Sequence, residues 1–157
     1  MFSAGGMMGR ERTVSLIRVF DAPRSRVFET WTRAEHLARW FCPHGFTVPA
    51  CEAEPRPGGV FRLCMRSPEG RDYWLRAVFR EVVVPERLVI AGAADDERGI
   101  ERIQTVIAAS FAAQGGKTRL TLRATASGEG PEAGAMLEDM EQGWTETIGR
   151  LAAHLAH

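Results

Sequence analysis

The C-terminal stretch PEAGAMLEDMEQGWTETIGRLAAHL, residues 131–155, carries the pattern that decides the fold. Its large apolar side chains recur at steps of three or four residues, at Met136, Met140, Trp144, Ile148, Leu151 and Leu155. This spacing places them along one stripe of a helix, the stripe that a helix buries against a partner. Pro131 and Glu132 are a proline and an acid typical of a helix start. The sequence therefore predicts one long terminal helix.

Most of the preceding sequence has the pattern of β-strands separated by turns. Thr13–Phe20 is the first predicted strand, and two short helices follow it, one after Asp21-Ala22-Pro23 and one over Ala34–Trp40. Six further strands are predicted over residues 46–54, 60–66, 71–84, 87–91, 102–113 and 117–126. Gln114-Gly115-Gly116 indicates a hairpin turn between the last two strands. The small and acidic residues 92–99 predict a loop.

This order of elements predicts an α+β fold in a single domain. A curved antiparallel sheet must cover its apolar face, and the terminal helix is the one predicted element long enough to do so. The length of 157 residues suits one domain, which we place at residues 11–157 after a disordered leader at residues 1–10.

The composition excludes several classes of protein. The 20 basic and 20 acidic residues give a formal net charge of zero, which argues against a dedicated nucleic-acid-binding protein. No apolar stretch approaches the roughly 20 residues needed to span a bilayer. Cys42, Cys51 and Cys64 are odd in number and not closely paired, so no disulfide framework is predicted. Together these features predict a protein of the reducing cytoplasm.

Six segments resemble one known family. They are Ala22–Phe28 with Trp31-Thr32, Glu35–Phe41, Pro57–Phe61 leading to Met65, Pro85–Val89, Gly116–Leu122, and Gly143-Trp144. In this order they resemble the Hsp90-ATPase-activator-homologue-like family of the START-like (Bet v 1-like, SRPBCC) superfamily. The resemblance implies a helix-grip fold, in which a strongly curved antiparallel sheet wraps around a long C-terminal helix and encloses a hydrophobic cavity.

The sequence departs from the family pattern at two places. Arg33-Ala34 stands where relatives usually have Asp-Pro, and Cys42-Pro43-His44 stands where they often have Gly-Pro. The resemblance places both departures at the mouth of the cavity, where they either alter ligand choice or reflect neutral drift in a loop.

The functions that the resemblance implies fall into three classes. Some members of the superfamily bind or transport lipids and other apolar molecules, others are cyclases or hydrolases, and the Hsp90-activating co-chaperone contacts a chaperone. Our leading interpretation is the binding of a small hydrophobic molecule, for sensing or transport, with no cofactor and no catalytic residue. An enzyme that uses the same cavity, or a chaperone contact through the outer surface, is the alternative. A homodimer is compatible with the sequence, which carries no direct signal for one.

The predicted cavity lining combines flexible and aromatic side chains. Methionine adapts to irregular spaces, and tyrosine and tryptophan supply apolar walls with a polar group at one end. The predicted lining residues are Trp40, Phe61, Met65, Tyr73, Trp74, Gln104, Met136, Met140 and Trp144. For each of them, ordinary core packing is the alternative.

Polar residues within the strands are a second group of candidates. The alternation along the strands predicts that Arg62 and Arg76 lie on the solvated outer face, and it leaves Glu101 and Gln104 open. An inward-facing charge would need a partner, since an unpaired buried charge is costly.

Metal ligation and nucleophilic catalysis are less well supported. His36, Cys42, His44 and Cys51 are potential ligands near one another in the sequence. Their spacing does not match the paired spacing of structural zinc sites, so no metal is predicted. The sequence also lacks the Gly-x-Ser-x-Gly motif of a nucleophilic serine.

Overall fold

A computed structural model describes residues 9–156 and shows, over that range, seven strands and four helices. Their order is β1 (Arg10–Phe20), α1 (Arg24–Thr30), α2 (Ala34–Trp40), β2 (Thr47–Ala53), β3 (Val60–Arg66), β4 (Asp72–Val83), β5 (Arg87–Asp95), β6 (Glu101–Gln114), β7 (Lys117–Gly128), α3 (Gly130–Glu138) and α4 (Met140–Leu155). The predicted α+β fold is confirmed. The first strand begins at Arg10, one residue before the predicted domain boundary, and residues 1–8 of the predicted leader lie outside the described residues.

All seven strands form one antiparallel sheet in the order β1-β7-β6-β5-β4-β3-β2. The first strand of the chain thus pairs with the last, and β1 and β2 are the two edges. Leu16 lies opposite Leu122, which in turn lies opposite Ala109. Because side chains alternate along a strand, such rows give the sheet one apolar inner face and one wetter outer face.

The inner face packs against the C-terminal helix and against an aromatic cluster from the two short helices. Ile148 and Leu151 of α4 belong to this core. Trp31 and Trp40 are fully buried, with ring centroids 4.9 Å apart, and the Trp40 indole N–H donates to the Thr30 carbonyl at 2.9 Å. The short helices therefore fill the space between the inner face and α4 at one end of the sheet.

The terminal helical segment is divided at Asp139, where the sequence predicted one continuous helix. Arg12 of β1 donates to the carbonyls of Leu137 and Glu138, at 2.9 Å in each case. In an uninterrupted helix these carbonyls would accept bonds from the next turn. The Arg12 side chain thus satisfies the two carbonyls in place of the next helical turn. Asp139, the residue at the break, is in addition a weak helix former.

The predicted loop over residues 92–99 is wrong at its start, because β5 continues to Asp95. Gly92 lies in the sheet opposite Ala77 on one side and Thr105 on the other. A Cβ atom at this position would collide with the backbone carbonyl oxygen of Arg76, so only glycine permits this close approach of β4 and β5.

Candidate ligand-binding cavity

A cavity of 420 Å³ lies between the inner face of the sheet and the helices α3 and α4, at the end opposite the aromatic cluster. Its sheet wall comes from five strands, with Met65, Tyr73, Leu75, Ala94, Ile103, Thr105, Ile107 and Ala126. Most of these side chains are apolar, so the wall favours contact with an apolar surface.

The helix wall of the cavity combines flexible, aromatic and very small residues. Met136 comes from α3, while Met140 and Trp144 come from α4. Gly143 lies between them, and a Cβ atom added there would meet no atom within 4 Å. The absence of a side chain at Gly143 therefore leaves open space in the cavity.

The loop after α2 closes a third side of the cavity, and Arg150 of α4 holds this loop in place. The Arg150 guanidinium donates to the carbonyls of Pro43 and Phe46, at 2.9 Å in each case, and lies 3.1 Å from the Cys42 sulfur. The ring of Phe41 packs edge-to-face on Trp144, with centroids 5.6 Å apart. The loop is thereby fixed against the helix wall.

The lining contains two acidic residues, Asp95 and Asp139, and no lysine, arginine or histidine over the part of the chain that is described. Asp95 is buried and paired with Arg76, whose two nitrogens lie 2.6 and 3.0 Å from its carboxylate oxygens. Asp139 is exposed at the rim, between α3 and α4. The interior of the cavity therefore offers no positive charge to a ligand.

The family described as "Activator of Hsp90 ATPase homolog 1-like protein" matches residues 21–156. The chain belongs to this family. The resemblance found in the sequence is thus confirmed over nearly the whole described range. No functionally curated protein matches the sequence at a significant level.

Several solved structures are similar to this protein and support its fold. The AHSA1 protein from Silicibacter pomeroyi is 23% identical, with a TM-score of 0.77 over 92% of this chain and 98% of its own. A protein from Arthrobacter aurescens is 26% identical, with a TM-score of 0.76 over 92% of this chain and 86% of its own. A protein from Chromobacterium violaceum is 24% identical, with a TM-score of 0.75 over 92% and 97% of the two chains. The helix-grip fold is therefore shared, and it suits a ligand-binding domain.

In this chain, six of the nine residues predicted to line the cavity do border it. They are Met65, Tyr73, Trp74, Met136, Met140 and Trp144. Trp74 borders it from the sheet, but its indole lies on the outer face, where the Arg62 guanidinium carbon is 4.2 Å from the ring centroid. Arg62 and Arg76 lie on that outer face, as the strand alternation predicts.

The other three predicted residues lie elsewhere, and their neighbours explain why. Trp40 is buried against Trp31 in the aromatic cluster. The fully buried Phe61 ring lies 5.4 Å from each of the Phe41 and Phe79 rings, in the packed core beside the cavity. Gln104 alternates with inward-facing residues of β6, so it lies in a groove of the outer face with Arg76 and Arg80.

The loop residues Cys42, Pro43 and Phe46 were not predicted to line the cavity, and Arg150 was not predicted to position them. The one signal in the sequence was the departure from the family pattern at Cys42-Pro43-His44, which the resemblance placed at the mouth. Arg150 lies more than a hundred residues along the chain, and no local pattern distinguishes it from a surface arginine.

The potential metal ligands are dispersed. His36 Nδ1 forms a hydrogen bond with His154 Nε2 at 2.8 Å, while the His44 ring lies 3.9 Å from the Glu146 carboxylate. Cys51 lies on β2. The described residues contain no group of three His, Cys, Asp or Glu side chains placed to bind a metal ion.

Burial raises the pKa of the Cys42 thiol, and the nearby Arg150 guanidinium offsets this only in part. The side chain is therefore held as a neutral thiol at neutral pH, and the thiol is a much weaker nucleophile than the thiolate. None of the described helices is both long and apolar enough to cross a membrane.

Proposed function

We propose that this protein binds a small apolar molecule in the cavity, in a sensing, storage or transport role without covalent chemistry. The observation that carries the proposal is the 420 Å³ space itself, lined mainly by aliphatic and aromatic side chains. Ligand pockets in proteins are typically apolar clefts of about 300–1,000 Å³ with a few placed polar groups.

The residues around the cavity support binding better than catalysis. The carboxylate of Asp95 is engaged by Arg76, and burial keeps Cys42 protonated. An acid–base or nucleophilic mechanism needs a base within hydrogen-bond reach of the reacting group. No such pair lies among the described residues of the lining.

The chaperone contact that the family description suggests stays a prediction, as does a cytoplasmic location. A pull-down with purified Hsp90-type chaperone, with and without ATP, tests the contact. Recovery of the chaperone by this protein would support the alternative function of the outer surface.

The cavity is tested by filling it. Gly143 and Gly149 both lie in α4, and a Cβ atom at either meets no atom within 4 Å, but Gly143 lines the cavity and Gly149 does not. Leucine favours a helix over glycine by about 0.8–1 kcal/mol at either position, so neither substitution is expected to unfold the protein. The two variants therefore match in helix position and substitution, and they differ in whether the new side chain enters the cavity.

We expect Gly143→Leu to weaken binding of the neutral apolar dye Nile red by at least about tenfold, because a fully buried leucine side chain occupies the site. Gly149→Leu should bind the dye as the wild type does. Native mass spectrometry of gently purified protein would report the mass of a retained ligand. Equal dye affinity in the wild type and Gly143→Leu would contradict the proposal.

A further inference from the structure

Two hydrogen-bond donors in the cavity lack a partner within the described part of the chain. The Tyr73 hydroxyl comes from the sheet wall, and the Trp144 indole N–H comes from the helix wall. Tyr73 is the protein's one tyrosine. By contrast, the Trp40 N–H in the packed core donates to a backbone carbonyl at 2.9 Å. The cavity lining thus carries two donors without a partner among the described residues. Neither is fully buried, unlike the Trp31 N–H of the packed end, which is buried and also lacks a partner.

The other neutral polar groups of the lining are already engaged as donors. The Thr105 hydroxyl donates to the Thr125 carbonyl at 3.0 Å, and the Thr147 hydroxyl donates to the Gly143 carbonyl at 2.7 Å. An indole N–H is a donor only, so a group that satisfies it must be an acceptor. A ligand that displaces water from the Tyr73 hydroxyl and the Trp144 N–H must therefore supply a hydrogen-bond acceptor.

The charges of the cavity lining limit which acceptors a ligand can carry. A carboxylate or phosphate buried here would find no cation, and an unpaired buried charge is strongly unfavourable. A cationic ligand would find its one uncompensated carboxylate at Asp139, which is exposed at the rim, where solvent and salt screen it. The acceptor that suits this site is an uncharged oxygen.

We infer that the cavity selects neutral apolar molecules that carry a carbonyl oxygen, as in a ketone, ester or amide, and that Tyr73 and Trp144 receive this oxygen. The inference rests on the proposed binding function and specifies its ligand class. Tyr73 and Trp144 are thus the specificity-determining residues. A site built to donate hydrogen bonds discriminates against analogues that lack the matching acceptor, because the donors are then left unpaired.

The test uses four probes that share one ring system and nearly one size: acetonaphthone, ethylnaphthalene, naphthoate and naphthylmethylammonium. Each is titrated against Nile red bound to the full-length protein, and the measured quantity is the ratio of the ketone affinity to the hydrocarbon affinity. This ratio cancels changes in cavity shape that affect both probes equally.

We expect Tyr73→Phe, which retains the ring, to lower this ratio about fivefold, the effect of one neutral hydrogen bond. Trp144→Phe should lower it by a similar factor. Trp31→Phe is the matched control, because Trp31 lies in the packed end, does not border the cavity, and its indole N–H makes no hydrogen bond that the substitution would remove. That control should leave the ratio at its wild-type value, and both ionic probes should bind the wild type more weakly than the ketone.

Two results would overturn the inference while leaving the binding function intact. One is an unchanged ratio in both Tyr73→Phe and Trp144→Phe. The other is tighter binding of naphthoate or naphthylmethylammonium than of acetonaphthone. If no probe displaces Nile red and the Gly143→Leu variant retains dye binding, the proposed function itself fails and takes the ligand class with it.

Discussion

The two ends of the layer between the sheet and the C-terminal helices use the same strands to opposite effect. β4 supplies Phe79 to one end and Tyr73 to the other, and β6 supplies Phe111 and Ile103 in the same way. Phe79 and Phe111 are buried at no more than 2% exposure, whereas Tyr73 and Ile103 border the cavity. The sheet alone therefore does not decide which end is packed.

The difference arises from what the helices place over each end. Trp31 directly follows α1, and Trp40 is the last residue of α2, so two indoles fill the packed end. Over the other end, α4 presents Gly143 and Met140. A core and a cavity can therefore share one sheet when the side chains of the helical layer change in volume along its length.

The largest loss of stability should follow from truncating Trp40, in the packed end. Trp40→Ala should lower the free energy of unfolding by about 3–5 kcal/mol, because it opens a cavity in a packed core. Met140→Ala should lower it by only about 1 kcal/mol, since its side chain is partly exposed and already borders open space. Urea denaturation of both variants measures the difference. Equal losses would show that the two ends do not differ in packing.

An intermediate effect is expected at Arg150, which ties down the loop that lies between the two ends. Arg150→Met should lower the free energy of unfolding by about 2 kcal/mol, because the carbonyls of Pro43 and Phe46 lose a charged donor. Chemical denaturation measures this loss, and Nile red titration should show weaker binding.

Arg150→Lys is the control for that experiment. A lysine retains the positive charge but not the planar set of donors. Arg150→Lys should therefore lower the free energy of unfolding, but by less than Arg150→Met does. If Arg150→Met unfolds at the wild-type denaturant concentration, the loop is held by other contacts.

The smallest effect concerns the protonation of Cys42, which lies where the packed end meets the cavity. Because burial raises the pKa of this thiol, its deprotonation should occur above the ordinary thiol value of about 8.5. In a Cys51→Ser, Cys64→Ser background, ultraviolet absorbance of the thiolate measures the titration. Arg150→Met should raise the pKa further, since it removes the nearby positive charge.

The raised pKa of the Cys42 thiol makes the free energy of unfolding depend on pH. The folded state holds the proton more tightly than the unfolded state, so the free energy of unfolding should fall as the pH rises from the unfolded pKa to the raised folded pKa. Below the unfolded pKa no loss is expected. Titration of Cys42 at an ordinary pKa would show that the loop leaves the thiol in contact with water.

Local sequence signals predicted most of the elements. The bounds of α2 and β3 match their predicted ranges, since Pro43 and Gly45 follow the helix and Pro57-Gly58-Gly59 precedes the strand. The extension of β5 and the helix break at Asp139 were missed. Both depend on partners remote in the sequence, namely the backbone of β4 against Gly92 and the side chain of Arg12.

The candidate site was predicted in part for the same reason. Met136, Met140 and Trp144 follow from the helical stripe, which shows the side of the helix that faces the sheet. Periodicity does not show which end of that face is packed, so Trp40 and Phe61 were assigned to the cavity although they lie in the core. The alternation along β6 did not settle the side on which Gln104 lies.

The α+β architecture and the apolar character of the space between sheet and helix can be predicted from the sequence, because both follow from local periodicities of two and 3.6 residues. Only the folded structure shows where that space stays open, which loop closes it, and that Tyr73 and Trp144 border it together. These features depend on side-chain volumes and hydrogen bonds from segments far apart in the chain, and such contacts exist only once the sheet and helices have packed.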